Sequence, residues 1–382
     1  MKKRLSAVLF AATFLLACAC TAAEPVQSEI PSPTQSLTPS PSASEEPSKK
    51  PLPETSPVSP EENWAKIGRL ERKYLVYEYS GQTIARWFYY YIPSSYQPGD
   101  RLPLMFTLHG SASNASYQMN DGNWINYAEQ EGFIMVAPES VAIHADGTLS
   151  SEGKSMAAIG QTDMKYLRWN AVSSDPQGAF GVDDVQYISD LIDLFTEPGY
   201  ADAARVYSSG LSHGAFMSLR LAMELPEKIA GVGVVAGLLS REFVDTVMDV
   251  HPKIVFINGT ADVVVPIDGM IYDYDRDGEK EYVWAYSQED SVNWFLQQYG
   301  MSGACTETAL PDTDEKDGTT ITRYGYTTDE GDEMVVQYIV TGGGHTWPGG
   351  RGYGYGVTSR DAEATLLIWN DLKDVVNPAA AQ

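Results

Sequence analysis

The sequence holds little cysteine, little histidine and few basic side chains for its length. Its 382 residues include 3 cysteines and 5 histidines, and 26 lysines and arginines stand against 51 aspartates and glutamates, a formal net charge of −25. Cys18 and Cys20 lie near the N-terminus, which leaves Cys305 alone in the body of the chain, so neither a disulfide framework nor a cysteine-rich zinc site can form. A surface this acidic repels phosphate backbones, which argues against a nucleic-acid partner.

The chain begins with a pattern typical of a targeting segment. Basic residues 2–4 precede the apolar run Leu5–Ala17, which is too short to span a bilayer. The run ends in Leu15-Leu16-Ala17-Cys18, which resembles a bacterial lipobox. We therefore predict a lipoprotein signal peptide at residues 1–19 and lipidation of Cys18, with Cys20 as the alternative. Ordinary cleavage at an A-x-A-like site would instead release the protein, and either route predicts export, with the membrane contacted only through the lipid anchor.

A stretch rich in proline, serine and threonine follows at residues 20–62. It has almost no large apolar side chains and so cannot bury enough surface to offset the entropy lost on ordering. We predict a disordered, extended linker that holds a folded domain away from the cell surface. The composition becomes globular near Trp64, and residues 63–377 are predicted to form one folded domain.

Short apolar runs alternate with amphipathic helical patterns across this domain. Leu102–Leu108 and Lys253–Ile257 have the pattern of buried strands, and Val182–Phe195 carries its apolar residues on one helical stripe. The alternation predicts an α/β fold with a mostly parallel central sheet and helices on both faces. A last helix is predicted at Ser359–Leu372, with Ser359 as its N-cap.

Gly210-Leu211-Ser212-His213-Gly214 is a G-x-S-x-G pentapeptide between a predicted strand and a predicted helix. A sharp strand-to-helix turn would strain the backbone of Ser212, and the flanking glycines would relieve the crowding. The hydroxyl would then stand above the sheet at a helix N-terminus, where backbone N–H groups can stabilise an oxyanion. The pattern predicts that Ser212 is a nucleophile; the alternative is a serine that only caps a helix.

A serine nucleophile needs a base and an acid, which in this setting follow it in the order Ser, Asp or Glu, His. Of the five histidines, His345 lies farthest beyond Ser212, directly after three glycines, and is the predicted base. Asp262 follows the predicted strand Lys253–Ile257 and is the predicted acid, which would fix the tautomer of the imidazole.

Four segments together resemble one known family. The segments are Leu108-His109-Gly110, the pentapeptide elbow Gly210-Leu211-Ser212-His213-Gly214 continued to Met217, Gly259-Thr260-Ala261-Asp262, and Gly343-Gly344-His345-Thr346-Trp347-Pro348-Gly349. They are similar to the polyhydroxybutyrate depolymerase, feruloyl esterase and acetyl xylan esterase group of α/β-hydrolases, over about residues 85–350. The resemblance implies the α/β-hydrolase fold, with residues 63–377 as the catalytic domain of a secreted serine esterase.

The same resemblance implies roles for individual residues. Ser212, Asp262 and His345 would be nucleophile, acid and base, and an oxyanion hole would use the backbone N–H groups of His213 and of the loop at Gly110 and Ser111. Ser111 stands where family members often carry a cysteine, and Asn258 where a histidine is common.

The substrate expected first is a feruloyl or acetyl ester on plant cell-wall polysaccharide. Trp347, beside the predicted base, and Trp169 are the predicted aromatic walls of the substrate site. Polyhydroxybutyrate or another polyester is the alternative substrate, and a serine peptidase is a further enzymatic one. A non-catalytic surface-binding protein on an esterase fold is the alternative from another class.

One acidic segment resembles part of a calcium loop. Asp273, Asp275 and Asp277 match the first half of an EF-hand, but Trp284 occupies the position where a bidentate glutamate closes the site. We therefore expect a solvated turn and no metal or other cofactor, with structural calcium at these three aspartates as the alternative.

Overall fold

In the computed structural model, the described residues are 58, 64–144, 147–151, 164–173, 175–273, 281–352 and 354–380. They belong to one compact unit, Lys49–Gln382. The predicted signal peptide with Cys18 and Cys20, and nearly all of the predicted linker, lie outside the described residues. Within the part described, no helix has the length and apolar character that a bilayer crossing requires.

The described residues form fifteen strands and six α-helices. The strands are β1 (Glu71–Tyr79), β2 (Gln82–Tyr91), β3 (Leu102–Leu108), β4 (Ile134–Pro138), β5 (Val141–His144), β6 (Leu149–Ser150), β7 (Met164–Arg168), β8 (Ala201–Leu211), β9 (Gly231–Val235), β10 (Lys253–Gly259), β11 (Met270–Asp273), β12 (Glu281–Ala285), β13 (Cys305–Ala309), β14 (Thr320–Thr327) and β15 (Glu333–Thr341). The helices are α1 (Ala115–Asp121), α2 (Trp124–Glu131), α3 (Asp184–Thr196), α4 (His213–Glu224), α5 (Gln288–Gln298) and α6 (Ala364–Leu372).

Ten of these strands form one twisted sheet in the order β1-β2-β4-β3-β8-β9-β10-β15-β14-β13. The six strands from β4 to β15 in that order pair in parallel, and antiparallel strands complete both edges. The sheet is therefore mostly parallel, and the predicted α/β-hydrolase fold class is confirmed. Because parallel strands all run in one direction, their carboxyl ends lie at the same end of the sheet, and the loops that follow β8, β10 and β15 lie there together.

Helices cover both faces of the sheet because successive residues of each parallel strand point to opposite faces. In β10, Ile254 and Phe256 pack into the core that contains α3, α4 and α5, whereas Val255 and Ile257 pack into the core that contains α1, α2 and α6. All seven residues of β10 are buried. This double burial explains why the parallel strands appear in the sequence as continuous apolar runs rather than alternating ones.

The last helix begins later than the sequence predicted. It runs from Ala364 with Glu363 at the N-cap position, so the prediction that Ser359 caps it is wrong. The Ser359 side chain is buried and lies 2.8 Å from the Thr319 hydroxyl, and the Ser359 carbonyl accepts from Gly349 N–H at 2.8 Å. These bonds hold Ser359 in a loop packed against the chain before the helix.

Candidate active site

Ser212 occupies a strained turn between β8 and α4. Its backbone has φ 56° and ψ −120°, outside the regions that a non-glycine residue ordinarily adopts. The Ser212 N–H donates to the carbonyl of Val235 on β9 at 2.8 Å, and the Ser212 carbonyl accepts from Ala215 N–H at 2.8 Å. The neighbouring strand and the first turn of α4 thus hold the conformation in place.

The two glycines of the pentapeptide allow backbone segments to approach closely. A Cβ at Gly210 would lie 2.3 Å from the carbonyl carbon of Gly214, and a Cβ at Gly214 would lie 2.3 Å from the carbonyl oxygen of Leu108. These neighbours are backbone atoms, which cannot turn aside. The tight turn therefore needs glycine at both positions, as the motif predicted.

Asp262 and His345 form the closest polar contact of the site. His345 Nδ1 lies 2.7 Å from Asp262 Oδ2, and both side chains are buried. The other carboxylate oxygen, Oδ1, accepts from the N–H groups of Val264 and Val265, each at 2.8 Å. With its carboxylate fixed on both oxygens, Asp262 orients the imidazole so that Nδ1–H donates to it and Nε2 stays free to accept a proton.

The loops that carry this pair are joined by backbone bonds. Ala261 N–H donates to the Gly343 carbonyl at 2.9 Å, and Gly342 N–H donates to the Thr260 hydroxyl at 2.9 Å. Ser212, Asp262 and His345 follow β8, β10 and β15, so the fold collects all three at one edge of the sheet. The Asp–His hydrogen bond is formed, whereas the Ser212 hydroxyl is not hydrogen-bonded to the His345 ring among the described residues.

The loop after β3 lies directly against the elbow. A Cβ at Gly110 would be 3.5 Å from the Cβ of Ser212. Ala112 N–H donates to the Leu167 carbonyl and Ser113 N–H to the Gly110 carbonyl, but the N–H of Ser111, which precedes them, has no backbone acceptor among the described residues. As the first residue of α4, His213 also has no intrahelical acceptor for its N–H. The predicted oxyanion-hole residues thus present two uncommitted donors beside Ser212.

A buried polar network supports that loop from behind. His109 Nδ1 donates to the Gly110 carbonyl at 2.8 Å, and its Nε2 accepts from Ser140 N–H at 3.2 Å and lies 3.3 Å from Glu139 Oε1. Desolvation lowers the pKa of His109 to about 4, although the Gly110 bond opposes this change. Desolvation raises the pKa of Glu139 to about 8 against the opposing effect of the Ala115 N–H. Both groups are therefore neutral near pH 7.

A second buried acid fixes the side chain of His213. The Asp175 carboxylate lies 3.1 Å from His213 Nε2 and 2.9 Å from Arg168 Nε, and it accepts from the N–H groups of Ala171 and Val172. Burial alone would raise the pKa of Asp175, but the His213 bond and the Arg168 charge outweigh it, so the pKa lies below its ordinary value. Asp175 thus remains ionised and anchors His213, which follows the predicted nucleophile.

Neither tryptophan predicted to line the substrate site is accessible. Trp347 is 1% exposed, donates its indole N–H to Thr365 at 3.1 Å and packs edge-to-face on Trp124. Trp169 is fully buried and donates its indole N–H to the His109 carbonyl at 2.8 Å, so it supports the loop that carries the predicted oxyanion-hole residues Gly110 and Ser111. The structure therefore corrects both assignments: each tryptophan belongs to the core, where the apolar ring is buried and the indole N–H has an acceptor.

Only part of the acidic segment that resembles a calcium loop lies among the described residues. Asp275 and Asp277 lie outside the described residues, and of Asp273 the structure describes the backbone, as the end of β11. Among the described residues there is no group of three or more His, Cys, Asp or Glu side chains that could hold a metal ion.

Comparison with known proteins identifies the family. The chain is 30% identical over 251 residues to NocK of Nocardia uniformis subsp. tsuyamanensis, a protein named as an esterase. It is 27% identical over 156 residues to the bifunctional acetylxylan esterase/xylanase XynS20E of Neocallimastix patriciarum, and 27% identical over 166 residues to a poly(3-hydroxybutyrate) depolymerase of Ralstonia pickettii. The chain is therefore similar to this esterase group of α/β-hydrolases. The resemblance drawn from the four segments is thereby confirmed.

The matches are partial in length. The match to NocK covers 65% of this chain and 66% of NocK. The matches to XynS20E and to the depolymerase each cover 41% of this chain, and they cover 18% and 30% of those two relatives. The chain therefore spans less than two thirds of the length of each relative. Among solved structures, acetyl xylan esterase from Aspergillus awamori superimposes with a TM-score of 0.45 at 15% identity, over 68% of this chain and 89% of that one. No protein-family model matches the chain.

Sequence reasoning missed several residues that hold the site. Arg86 and Asp184 form a fully buried ion pair at 2.6 Å, and Asp184 also accepts from Asn170 N–H at 2.5 Å. The neighbouring Asp183 caps α3 by accepting from Gln186 N–H at 2.9 Å. The paired aspartates of Val182-Asp183-Asp184-Val185 are visible in the sequence, but Arg86, the ion-pair partner of Asp184, lies 98 residues away.

Proposed function

We propose that this protein is an exported, surface-tethered serine carboxylic-ester hydrolase that releases feruloyl or acetyl groups from plant cell-wall polysaccharide. The observation that carries the hydrolase assignment is the buried Asp262–His345 hydrogen bond at the sheet edge where Ser212 stands on its strained elbow. The named activities of the three relatives, all hydrolases of esters, support it.

The proposed reaction proceeds in two steps. The Ser212 oxygen attacks the ester carbonyl carbon while its proton passes to His345 Nε2, and the resulting oxyanion accepts from the N–H groups of His213 and Ser111. His345 then gives that proton to the alcohol oxygen as the ester bond breaks, which leaves an acyl group on Ser212. Water, activated by the same imidazole, releases the acid and restores the serine.

This route does not require a preformed hydrogen bond between Ser212 and His345. Hydrogen bonds between a nucleophile and its base are often long before substrate binds and shorten in the complex. The Asp262 carboxylate stabilises the imidazolium that forms in each step, and it needs no rearrangement because four bonds already fix the loop around it.

Turnover of p-nitrophenyl acetate by the wild type and by Ser212→Ala tests the hydrolase assignment. We expect a loss of more than about a thousandfold in Ser212→Ala. Ser209→Ala, which changes a buried serine of β8, the strand that leads into Ser212, serves as the matched control and should retain activity. Equal rates in the wild type and Ser212→Ala would refute the proposal and favour a non-catalytic binding protein.

The substrate is tested by comparing methyl ferulate, acetylated xylan and a polyhydroxybutyrate film under one set of conditions. Release of ferulate or acetate without clearing of the film is the expected result. The polyester alternative is supported by the depolymerase relative, and clearing of the film with no release of ferulate or acetate would establish it instead.

Surface attachment rests on the N-terminal sequence. We propose that Cys18 is lipidated and that residues 20–62 act as a spacer. Cys18→Ala is expected to move the protein from the membrane fraction to the medium, with Cys20→Ala as the control. Retention of Cys18→Ala with membranes would contradict this anchor.

A further inference from the structure

Exposed apolar side chains concentrate around the Asp262–His345 pair. Nine large hydrophobic side chains are exposed among the described residues. Two of them directly follow Asp262 in the chain, and two more lie in the segment that pairs with the backbone around His345. These four, which we call the apolar rim, are Val263, Val264, Tyr355 and Val357. Single exposed apolar residues are ordinary on protein surfaces, but such a concentration beside reactive groups is typical of a binding surface.

Tyr355 lies on the same face as the imidazole. It forms an antiparallel bridge with His345, in which His345 N–H donates to the Tyr355 carbonyl at 2.7 Å and Tyr355 N–H donates back at 3.2 Å. Residues paired in this way project their side chains to one side, with Cβ atoms roughly 5 Å apart. The bridge places Tyr355 beside His345, and Tyr355 is 60% exposed, so it remains open to a ligand.

The rest of the apolar rim is fixed to the same two loops. The Val357 carbonyl accepts from Gly344 N–H at 2.8 Å, next to His345. Val263 and Val264 directly follow Asp262, and Val264 N–H donates to its carboxylate. The rim is therefore held against the acid and base by backbone bonds.

The proton path decides which half of an ester meets this rim. His345 must hand its proton to the leaving alcohol oxygen, so that oxygen lies within hydrogen-bond reach of Nε2 and the alcohol extends over the surface beside the imidazole. We propose that the apolar rim binds the alcohol half of the substrate, and that this alcohol is a sugar ring whose C–H face stacks on Tyr355. Acetyl and feruloyl groups would then point away from the rim. The inference rests on the proposed function, because it uses the role of His345.

Paired substrates with one acyl group and two alcohols test this assignment. Feruloylated arabinose is compared with methyl ferulate, and an acetylated methyl xyloside with methyl acetate, and the measured quantity is the ratio of kcat/KM for the sugar ester to that for the methyl ester. We expect Tyr355→Ala to lower this ratio by about five- to tenfold. Tyr355→Phe keeps the aromatic face and should hold the ratio within about twofold of the wild type.

Two equally exposed valines provide the matched control. Val263 is 79% and Val247 81% exposed, and Val247 lies outside the apolar rim. Val263→Ser should lower the ratio by about threefold, whereas Val247→Ser should leave it unchanged.

The outcomes separate this inference from the proposed function. An unchanged ratio in Tyr355→Ala, or an equal loss in Tyr355→Phe, would overturn the stacking of a sugar on Tyr355 while ester hydrolysis stands. In another outcome, the wild type clears a polyester film and Tyr355→Ala does not, while the kcat/KM ratio of Tyr355→Ala on the sugar esters equals that of the wild type. That outcome would show that the apolar rim binds an aliphatic alcohol and not a sugar. Hydrolysis of none of these esters by the wild type would refute the proposed function, and the inference with it.

Discussion

Substitution of the buried Glu139 should reshape the pH dependence of stability. Burial raises the pKa of Glu139 from 4.5 to about 8 in the folded protein. A raised folded-state pKa stabilises the fold below the unfolded-state pKa, and this contribution is lost as the pH rises through the folded-state value. Between pH 6 and 7.5, Glu139 holds a proton in the folded chain that it has released in the unfolded chain. The free energy of unfolding therefore falls by about 1.4 kcal/mol for each pH unit.

Glu139→Gln keeps the shape of the neutral acid but cannot titrate. Over that interval the stability of the wild type should therefore fall by about 2 kcal/mol relative to Glu139→Gln. His109, whose pKa falls to about 4, titrates only in the unfolded state in this range and does so in both proteins, so its effect cancels. The free energy of unfolding is measured by urea denaturation, followed by tryptophan fluorescence, at pH 6, 6.75 and 7.5.

Glu129→Gln is the control for this measurement. Hydrogen bonds from Ser94 and Tyr91 lower the pKa of Glu129, so this carboxylate is ionised in both states and its removal should leave the pH slope of the wild type intact. Parallel pH dependence in the wild type and Glu139→Gln would refute the reasoning, since it would mean that Glu139 is ionised behind the oxyanion-hole loop.

Three further substitutions test the site itself. Gly214→Ala places a methyl group 2.3 Å from the Leu108 carbonyl oxygen and should lower the free energy of unfolding by on the order of 3 kcal/mol, measured by urea denaturation. Gly178→Ala is the control, because its methyl group meets only side-chain atoms at 3.3 Å or beyond, and it should lower the free energy of unfolding far less. Equal losses in the two variants would contradict this account. Asp262→Asn should lower kcat on p-nitrophenyl acetate by on the order of 10³- to 10⁴-fold at unchanged fold, because an amide no longer stabilises the imidazolium; a loss below tenfold would assign the acid elsewhere. Asp175→Asn should lower kcat by about tenfold with little change in KM, because the donor at the start of α4 shifts; wild-type kcat would make this carboxylate purely structural.

Local patterns in the sequence were enough to predict the mostly parallel sheet and to select the candidate reactive residues. The elbow at Ser212 is a short-range motif whose glycines and flanking elements are neighbours in the chain. Asp262 follows the fully buried strand β10 and His345 follows the partly buried strand β15, and parallel strands bring their carboxyl ends together whatever the loops between them do. Residues placed by strand order could therefore be located without knowing any side-chain contact.

Residues placed by packing could not be predicted in this way. Trp347 was chosen because it is near His345 in sequence, yet Gly344 and the bridge to Tyr355 turn the chain so that the indole enters the core and the tyrosine stays outside. Glu139 and Asp175 gain their roles from His109 and His213, which are 30 or more residues away. The exposed edge strand β13 carries no apolar run and was not predicted at all.

Covalent labelling of Ser212 tests the central claim most directly. A fluorophosphonate reacts only with a serine that a neighbouring base has activated, and peptide mapping by mass spectrometry identifies the modified residue. We predict stoichiometric labelling at Ser212 in the wild type, strong loss of labelling in His345→Ala, and none in Ser212→Ala. Labelling of another residue, or equal labelling of the wild type and His345→Ala, would contradict an active site built from Ser212, His345 and Asp262.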